Sequence, residues 1–236
     1  MATSAKTESP DISRFVERQM RNWEISRHQT ATAPREGGRQ VEHFIALSRA
    51  VGLPGQEIAS ILNLRLGWPV FDREILQAMA GDETWRRELY EAMDERDSNW
   101  LEDFLGGMSA AREGRDEYFR RLCETMLSLA RKGHAIFVGR AADLILPRDA
   151  GLRVRVTATR DYCIKAWACQ KKLTFEKAVR EVEELEHERA RFIRHHFHIE
   201  ASEQTRHDLI LNMEQFTGPL AAEVIMTALR VRGIIA

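Results

Sequence analysis

Five short apolar runs alternate with longer helical patterns along most of the chain, and this alternation constrains the fold more than any other feature. The apolar runs are residues 43–48, 68–71, 134–139, 152–158 and 207–212. Because most of these runs are apolar with few interruptions, they are typical of strands buried on both faces of a parallel sheet. Apolar residues at three- and four-residue spacing predict helices around these strands. The predicted helices are residues 55–66, 72–80, 84–105, 115–132, 160–171, 174–196 and 217–232. The pattern therefore predicts a three-layer α/β fold with a parallel sheet between helices.

Length and composition exclude several classes of protein. The chain has 236 residues, 44% hydrophobic and 30% charged, which is a balance typical of globular proteins. Its 35 basic and 36 acidic residues argue against a general nucleic-acid binder. No apolar run reaches the roughly 18 residues of a membrane span, so we expect no membrane partner. The three cysteines form no C-x-x-C pair, and we expect reduced thiols and a cytoplasmic protein.

The first 42 residues differ from the rest of the chain. Residues 1–10 are small and polar, which predicts a disordered tail, and residues 29–42 carry the proline and glycines of a linker. Between them, residues 11–28 have the spacing of an amphipathic helix. Its apolar positions are Ile12, Phe15, Val16, Met20 and Trp23. This face packs either on its own domain or on a second subunit, and we expect a homodimer through residues 11–28.

The segment that follows the first strand, residues 48–59, has the features of a phosphate-binding turn. A strand, a turn with Gly52 and Gly55, and a helix start direct backbone N–H groups toward an anion. A full P-loop would add a lysine, but the chain has none between Lys6 and Lys132. An ordinary strand–helix turn is the alternative interpretation.

A second candidate site follows the third strand, at Arg140 and Asp143. Arginine can bind a phosphate with two parallel hydrogen bonds, and an acid three residues later can accept from a base or sugar. The alternative is a helix start with a surface arginine.

A third candidate lies on the long charged helix, where Arg189, Arg191 and Arg194 are close in sequence. Arginines on a mobile segment suit phosphoryl transfer, which spreads negative charge over several oxygens. A solvated basic face is the alternative interpretation. The nearby His195, His196 and His198 lack the spacing of a metal site, and we expect no bound metal.

Taken in order, these segments resemble the cytidylate kinase-like family of nucleoside monophosphate kinases. The matching segments are IALSRAVGLPGQEIA (45–59), GWPVFDREIL (67–76), GHAIFVGRAADLIL (133–146), LRVRVTATRDYCIKA (152–166), ERARFIRHH (188–196) and HDLILN (207–212). The resemblance implies a P-loop kinase fold over residues 43–236, with a five-stranded parallel sheet of order 2-3-1-4-5. It also implies an acceptor-side helical insertion at 84–130 and an arginine-bearing lid at 187–206.

The resemblance identifies residues 48–59 with the phosphate loop, which binds ATP in that family. The loop residues that the resemblance implies are Ser48, Arg49, Gly52, Gly55, Gln56 and Glu57. The most serious departures from the pattern typical of this branch of the family are at three positions. Leu53 and Pro54 replace a serine and a glycine, and Gln56 replaces an arginine. Pro54 has no N–H to donate. We therefore expect these departures to weaken the binding of ATP, which is the phosphoryl donor in that family.

On the acceptor side, the resemblance implies that Asp72 and Arg140 bind a monophosphate, and we place Asp143 with them. Arg140, Arg189 and Arg194 are then the catalytic arginines. The implied function is transfer of the γ-phosphoryl group of ATP, as its magnesium complex, to a nucleotide such as CMP or dCMP. The alternative is a catalytically silent nucleotide-binding regulator or scaffold that dimerises through its N-terminal helix.

Overall fold

Five parallel strands form a single sheet in the order β2-β3-β1-β4-β5. The computed structural model describes residues 14, 16–21, 24, 41–91, 101–102, 117–200, 202 and 204–236. The strands are β1 (Phe44–Arg49), β2 (Val70–Phe71), β3 (Ala135–Val138), β4 (Leu152–Thr157) and β5 (Leu209–Asn212). The predicted order 2-3-1-4-5 is confirmed, and β1 lies at the centre between β3 and β4.

The helices lie within a few residues of their predicted positions. They are α1 (Gly55–Leu66), α2 (Arg73–Gly81), α3 (Glu83–Glu91), α4 (Glu117–Lys132), α5 (Ala142–Ile145), α6 (Arg160–Lys171), α7 (Phe175–Phe197) and α8 (Gly218–Val231). The short helix α5 was not predicted. Much of the predicted insertion at 84–130 lies outside the described residues, apart from α3, residues 101–102 and most of α4.

Strand side chains alternate between two apolar layers, one on each face of the sheet. On one face, Phe44, Phe71 and Phe137 pack beneath α2, α4 and α5. On the other, Leu47 and Val154 pack beneath α1 and α8. Full burial of such a side chain is worth roughly 1.5–3 kcal/mol, so the two layers hold the strand ends in fixed positions.

Helices α6 and α7 form a third packing unit at the carboxyl end of the central strand. Their cluster contains Ile164, Ala178 and Val182 together with Val51, which follows β1. Helix α7 has 23 residues, so at 1.5 Å per residue it is about 34 Å long. Its other end packs on α4 through Phe192 and Phe197, which contact Phe119. The predicted lid is therefore the second half of one continuous helix and the segment after it.

The N-terminal helical segment packs on the domain of its own chain. Residues 16–21 are helical, and Val16 and Met20 are buried in the layer that contains Phe71. Gln19 is also buried, and its Oε1 accepts a 2.9 Å hydrogen bond from the backbone N–H of Val70. Val16 and Met20 are thus covered by this subunit rather than by a second one. The other predicted apolar positions, Ile12, Phe15 and Trp23, lie outside the described residues.

Within the described residues, no helix has both the length and the apolar character that a membrane span requires. The three cysteines are free thiols, with Cys123 and Cys163 buried and Cys169 exposed.

The Gln19 contact predicts a specific loss of stability. Strand β2 lies at the edge of the sheet, and Gln19→Leu would leave the buried N–H of Val70 without an acceptor. We expect the free energy of unfolding to fall by about 1–3 kcal/mol in urea titrations. Glu17→Leu, at an exposed position of the same segment, is the control and should change it by less than about 0.5 kcal/mol. Equal stabilities of the two variants would contradict this account.

Candidate functional site

The carboxyl ends of β1 and β3 bring two of the predicted segments together. Arg49 ends β1, Gly139 and Arg140 follow β3, and the Gly139 N–H donates to the carbonyl oxygen of Leu47 at 2.9 Å. Ligands of open parallel sheets bind outside this edge, near the strand at which the chain changes direction across the sheet. The site is therefore at the position expected for the fold.

The turn after β1 depends on a glycine that α6 approaches closely. Gly52 has a φ of 83°, in the left-handed region. A Cβ at this position would lie 2.5 Å from the carbonyl oxygen of Cys163 in α6. Gly52 thus permits both the turn and the close contact between the turn and α6.

Few backbone amides of the turn remain available to an anion. The Gly55 N–H donates to the Leu53 carbonyl at 2.8 Å, and Pro54 has no N–H. Pro54 also precedes α1 without a side-chain cap. Within the described part of the chain, the N–H groups of Gln56 and Glu57 have no hydrogen-bond acceptor. Within the predicted phosphate-binding turn, the first turn of α1 therefore offers these two N–H groups to an anion.

The side chain of Arg49 crosses this turn. A Cβ on Gly55 would lie 2.4 Å from Arg49 Cδ, and a Cβ on Gly139 would lie 3.1 Å from Arg49 Nη1. The guanidinium therefore extends from the start of α1 to the end of β3. Burial lowers the pKa of Arg49, and the Asp72 carboxylate opposes this effect.

Arg189 reaches the same place from α7. Its Nη1 donates to the carbonyl oxygen of Arg49 at 2.9 Å. The pKa of Arg189 is lowered to about 10, chiefly by burial and next by the charge of Arg49, against an opposing effect of Glu186. Arg73 and Arg155 lower it further.

Arg140 is held in a strained backbone conformation. Arg140 and Ala141 have φ values of 52° and 54°, which non-glycine residues rarely adopt. Strain of this kind is concentrated at functional sites. The guanidinium lies 6.0 Å from the ring of Tyr118 and 5.9 Å from the ring of Phe192. Its Nε is buried, and no hydrogen-bond acceptor for it exists among the described residues.

These three side chains form an arginine cluster, consisting of Arg49, Arg140 and Arg189. Burial lowers the pKa of all three, and Arg73 lowers each of them further. Asp72 and Glu186 supply only partial compensation. Arg49 lowers the pKa of Arg189, and Arg73 acts on all three. A bound anion stabilises buried cations of this kind, so the cluster can bind a phosphate group.

Asp72 and Gln56 lie beside the cluster and contact each other. Gln56 Nε2 donates to Asp72 Oδ2 at 3.4 Å. Asp72 Oδ1 accepts from the N–H groups of Glu74 and Ile75 and so caps α2. Asp72 therefore joins the predicted donor and acceptor sides while it fixes the start of a helix.

Four other predicted residues, Arg194, Glu57, Asp143 and Ser48, make contacts outside the cluster. Arg194 is exposed and forms a 3.0 Å ion pair with Glu200. The Glu57 carboxylate lies against Gly218, at the N-terminus of α8, where a negative charge is favourable. These two side chains thus contact groups outside the cluster in this structure, and their predicted roles stay predictions.

Asp143 and Ser48 belong to a buried polar group beneath the turn. Asp143 Oδ2 lies 3.0 Å from Arg206 Nε, and both side chains are buried. Ser48 Oγ lies 3.0 Å from Nε2 of His207, and burial lowers the pKa of that histidine. In this structure, Asp143 therefore anchors the end of the predicted lid at Arg206. Its predicted contact with a base or sugar stays a prediction.

The histidine run has a packing role at its centre. His196 is buried and stacks on Phe119 at 4.0 Å with a 10° interplanar angle. His195 is exposed beside it, and His198 ends α7 with a φ of 56°.

Sequence reasoning missed Arg73, Arg155, Tyr118 and Phe192. Arg155 could have been found from the sequence, because a charged residue within an apolar strand indicates a polar contact. In the structure, Arg155 of β4 lies opposite Ser48 of β1. The two aromatic residues had none, since an aromatic residue on an amphipathic helix normally packs in the core.

The comparisons with known proteins agree with the fold. A sequence profile of the Cytidylate kinase-like family matches residues 44–215. The match covers well over half of the sequence, and the chain belongs to this family. No curated protein matches it.

Several solved structures match this chain, and two of them illustrate the range of similarity. The first is the crystal structure of an uncharacterized protein from Eubacterium ventriosum ATCC 27560, with 17% identity and a TM-score of 0.64 over 82% of this chain and 99% of that chain. This similarity shows a shared fold. The second is a dephospho-CoA kinase from Campylobacter jejuni, with 12% identity and a TM-score of 0.36 over 81% of this chain and 97% of that chain.

The Gly52 geometry predicts a large difference between two glycine substitutions. Both Gly52 and Gly67 have positive φ, but a Cβ on Gly67 would meet no atom within 4 Å. Gly67→Ala should therefore cost only the left-handed strain, about 1–2 kcal/mol. Gly52→Ala adds a backbone clash, and we expect it to lower the free energy of unfolding clearly more. Equal losses in urea titrations would show that α6 does not constrain the turn.

Proposed function

We propose that this protein binds a nucleoside monophosphate of the CMP or dCMP type at its arginine cluster and phosphorylates it with the magnesium complex of ATP. Membership in the Cytidylate kinase-like family supports a kinase-type reaction. The observation that carries the proposal is the cluster itself, in which Arg49, Arg140 and Arg189 converge with too few carboxylates to neutralise them.

Each arginine has a distinct role in this proposal. Arg140 binds the acceptor phosphate, which satisfies its unpartnered Nε. Arg49 and the N–H groups of Gln56 and Glu57 bind the donor phosphates at the positive end of α1. Arg189 neutralises the charge that develops on the transferring group. Positioning and charge neutralisation supply most of the rate enhancement, so no strong base is needed.

Magnesium enters this scheme as part of the nucleotide substrate. Two side-chain oxygens of the phosphate loop are directed elsewhere. Ser48 Oγ contacts His207, and the Glu57 carboxylate lies against Gly218. Ser48 and Glu57 therefore do not fit a protein-held magnesium ion, and in this proposal the phosphates and water supply most of its ligands.

A second candidate function is a catalytically silent nucleotide-binding regulator. The structure of the turn after β1 favours this candidate. The Gly55 N–H donates within the turn, and Pro54 has no N–H. The Arg49 side chain also crosses the space in front of these two residues. An ATP phosphate would have to displace the Arg49 side chain. A dimer through residues 11–28 is part of this candidate. Light scattering of the full chain would test it, because removal of residues 1–40 would also uncover the apolar layer that contains Val16 and Met20.

Calorimetry and thermal shift with CMP, dCMP, UMP, AMP, ATP and CTP, each with and without magnesium, test both candidates. A kinase binds a monophosphate and also magnesium–ATP, and forms the diphosphate. A silent regulator binds a nucleotide and forms no product. If none of the six nucleotides binds, both candidate functions are contradicted.

The acceptor and donor sides should respond to different substitutions. Arg140→Ala removes two parallel charge-assisted hydrogen bonds, so we expect CMP affinity to fall on the order of a hundredfold while ATP affinity is unchanged. Gln56→Arg should strengthen ATP about tenfold by restoring one charge. Arg148→Ala, at an exposed position, is the control for charge. Tight magnesium–ATP binding by the unaltered protein, without monophosphate binding, would reverse this assignment.

Phosphate alone should stabilise the protein through Arg189. The lowered pKa means that folding with a charged Arg189 costs free energy below pH 10, and a bound anion offsets that cost. A ligand at a hundred times its Kd stabilises by about 2.7 kcal/mol, which raises the midpoint of thermal unfolding by several degrees, at about 2–4 °C per kcal/mol.

Arg189→Met should lose most of this phosphate response. Arg180→Met, at an exposed position of the same helix, should keep it. Sodium chloride at the same ionic strength separates specific binding from screening. An unchanged response in Arg189→Met would contradict a role for this arginine in anion binding.

A further inference from the structure

One face of α7 contacts both sides of the candidate site. Arg189, Phe192 and His196 are spaced at i, i+3 and i+7, so they lie on the same side of the helix. Arg189 donates to the Arg49 carbonyl at the donor loop. Three residues later, Phe192 lies against the guanidinium of Arg140. One turn further, His196 stacks on Phe119 of α4.

The phenyl ring of Phe192 is itself fixed by packing. It makes edge contacts with Phe119 at 6.0 Å and with His196 at 4.5 Å. Its position therefore follows the position of α7 relative to α4. A ring held in this way can hold a neighbouring cation in turn.

Arg140 needs such support. Its backbone is strained, its side chain is half-buried, and its Nε has no acceptor among the described residues. No ion pair is seen for Arg140 in the described part of the chain. The contacts that remain are the two rings, with Tyr118 on one side at 6.0 Å and Phe192 at 5.9 Å.

We propose that Phe192 is a positioning residue that, together with Tyr118, holds the Arg140 guanidinium ready for the acceptor phosphate. This inference rests on the proposed function. A carboxylate in the same place would occupy the N–H donors of Arg140 and neutralise its charge. An aromatic face attracts the cation and leaves all five N–H donors free for a phosphate.

The arrangement also links the two halves of the site. Because Arg189 and Phe192 are on one rigid helix, a movement of α7 changes the donor loop and the acceptor arginine together. Tyr118 adds a link to α4, which belongs to the predicted insertion. The acceptor arginine is thus oriented by both segments that would close over a nucleotide.

The first test is calorimetry of CMP binding to three variants. Phe192→Leu keeps the apolar bulk but removes the aromatic face, and Phe192→Tyr keeps that face. Loss of a cation–π contact should weaken CMP by about two- to thirty-fold in Phe192→Leu and leave Phe192→Tyr within about twofold of the unaltered protein. Phe197→Leu is the matched control, since its ring packs on Phe119 at 5.5 Å from the same helix.

Equal CMP affinity in Phe192→Leu and the unaltered protein would overturn the inference. So would an equal loss in Phe192→Tyr or in Phe197→Leu, because general packing would then explain the effect. Thermal unfolding of each variant checks that all of them are folded at the temperature of the titration.

A second measurement needs no nucleotide and separates this inference from the proposed function. Phenylglyoxal modifies accessible arginines, and peptide mass spectrometry gives the rate at Arg140. We expect a faster rate in Phe192→Leu and unchanged rates in Phe192→Tyr and Phe197→Leu. If the unaltered protein binds no monophosphate, the proposed function fails and this rate still decides the role of Phe192. An Arg140 rate that is the same in all four proteins would overturn that role.

Discussion

Uncompensated positive charge is gathered at the carboxyl ends of β1 and β3, where Arg49, Arg140 and Arg189 converge. Burial lowers the pKa of all three, and none has a carboxylate that satisfies it fully. Arg153 shows the contrast within the same sheet, because its buried side chain donates to the carbonyl oxygens of Asp143 and Leu146 at 3.1 and 2.8 Å. The cluster opposes folding in the free protein and favours a bound anion.

Such a cluster persists because the surrounding structure holds it from several directions. The two apolar layers fix the ends of β1 and β3, and the close contact of Gly52 with α6 fixes the turn between them. Helix α7 brings Arg189 to the carbonyl oxygen of Arg49. The C-terminal part of α7 packs on Phe119 of α4 through Phe192 and His196. The free energy that holds the arginines together therefore comes from packing at a distance from the site.

The proposed donor and acceptor sides differ in how well they are prepared for a ligand. On the acceptor side, Arg140 has an unpartnered N–H and two aromatic neighbours that do not compete for its donors. On the donor side, the turn satisfies part of its own backbone, and Arg49 crosses the space where a phosphate would bind. This asymmetry is the physical basis for the two candidate functions, since both need the acceptor side and only a kinase needs the donor side.

Local and repeated signals in the sequence determined the layers and the order of elements. Continuous apolar runs predicted all five strands, and helices such as Gly55–Leu66 and Arg160–Lys171 lie at their predicted positions. The candidate loop and Arg140 followed from the rule that ligands bind at the carboxyl ends of parallel strands. The resemblance to a family added the strand order.

The directions of individual side chains were decided by tertiary structure. Nothing local separates Arg189, which reaches the Arg49 carbonyl, from Arg194, which pairs with Glu200. Nothing local indicated that Asp143 would lie against Arg206, or that the Glu57 carboxylate would lie against Gly218 at the start of α8. Phe192 had no functional signal at all, because its role depends on a cation from another element. A sequence pattern specifies which face of a helix is apolar, but long-range packing specifies what that face meets.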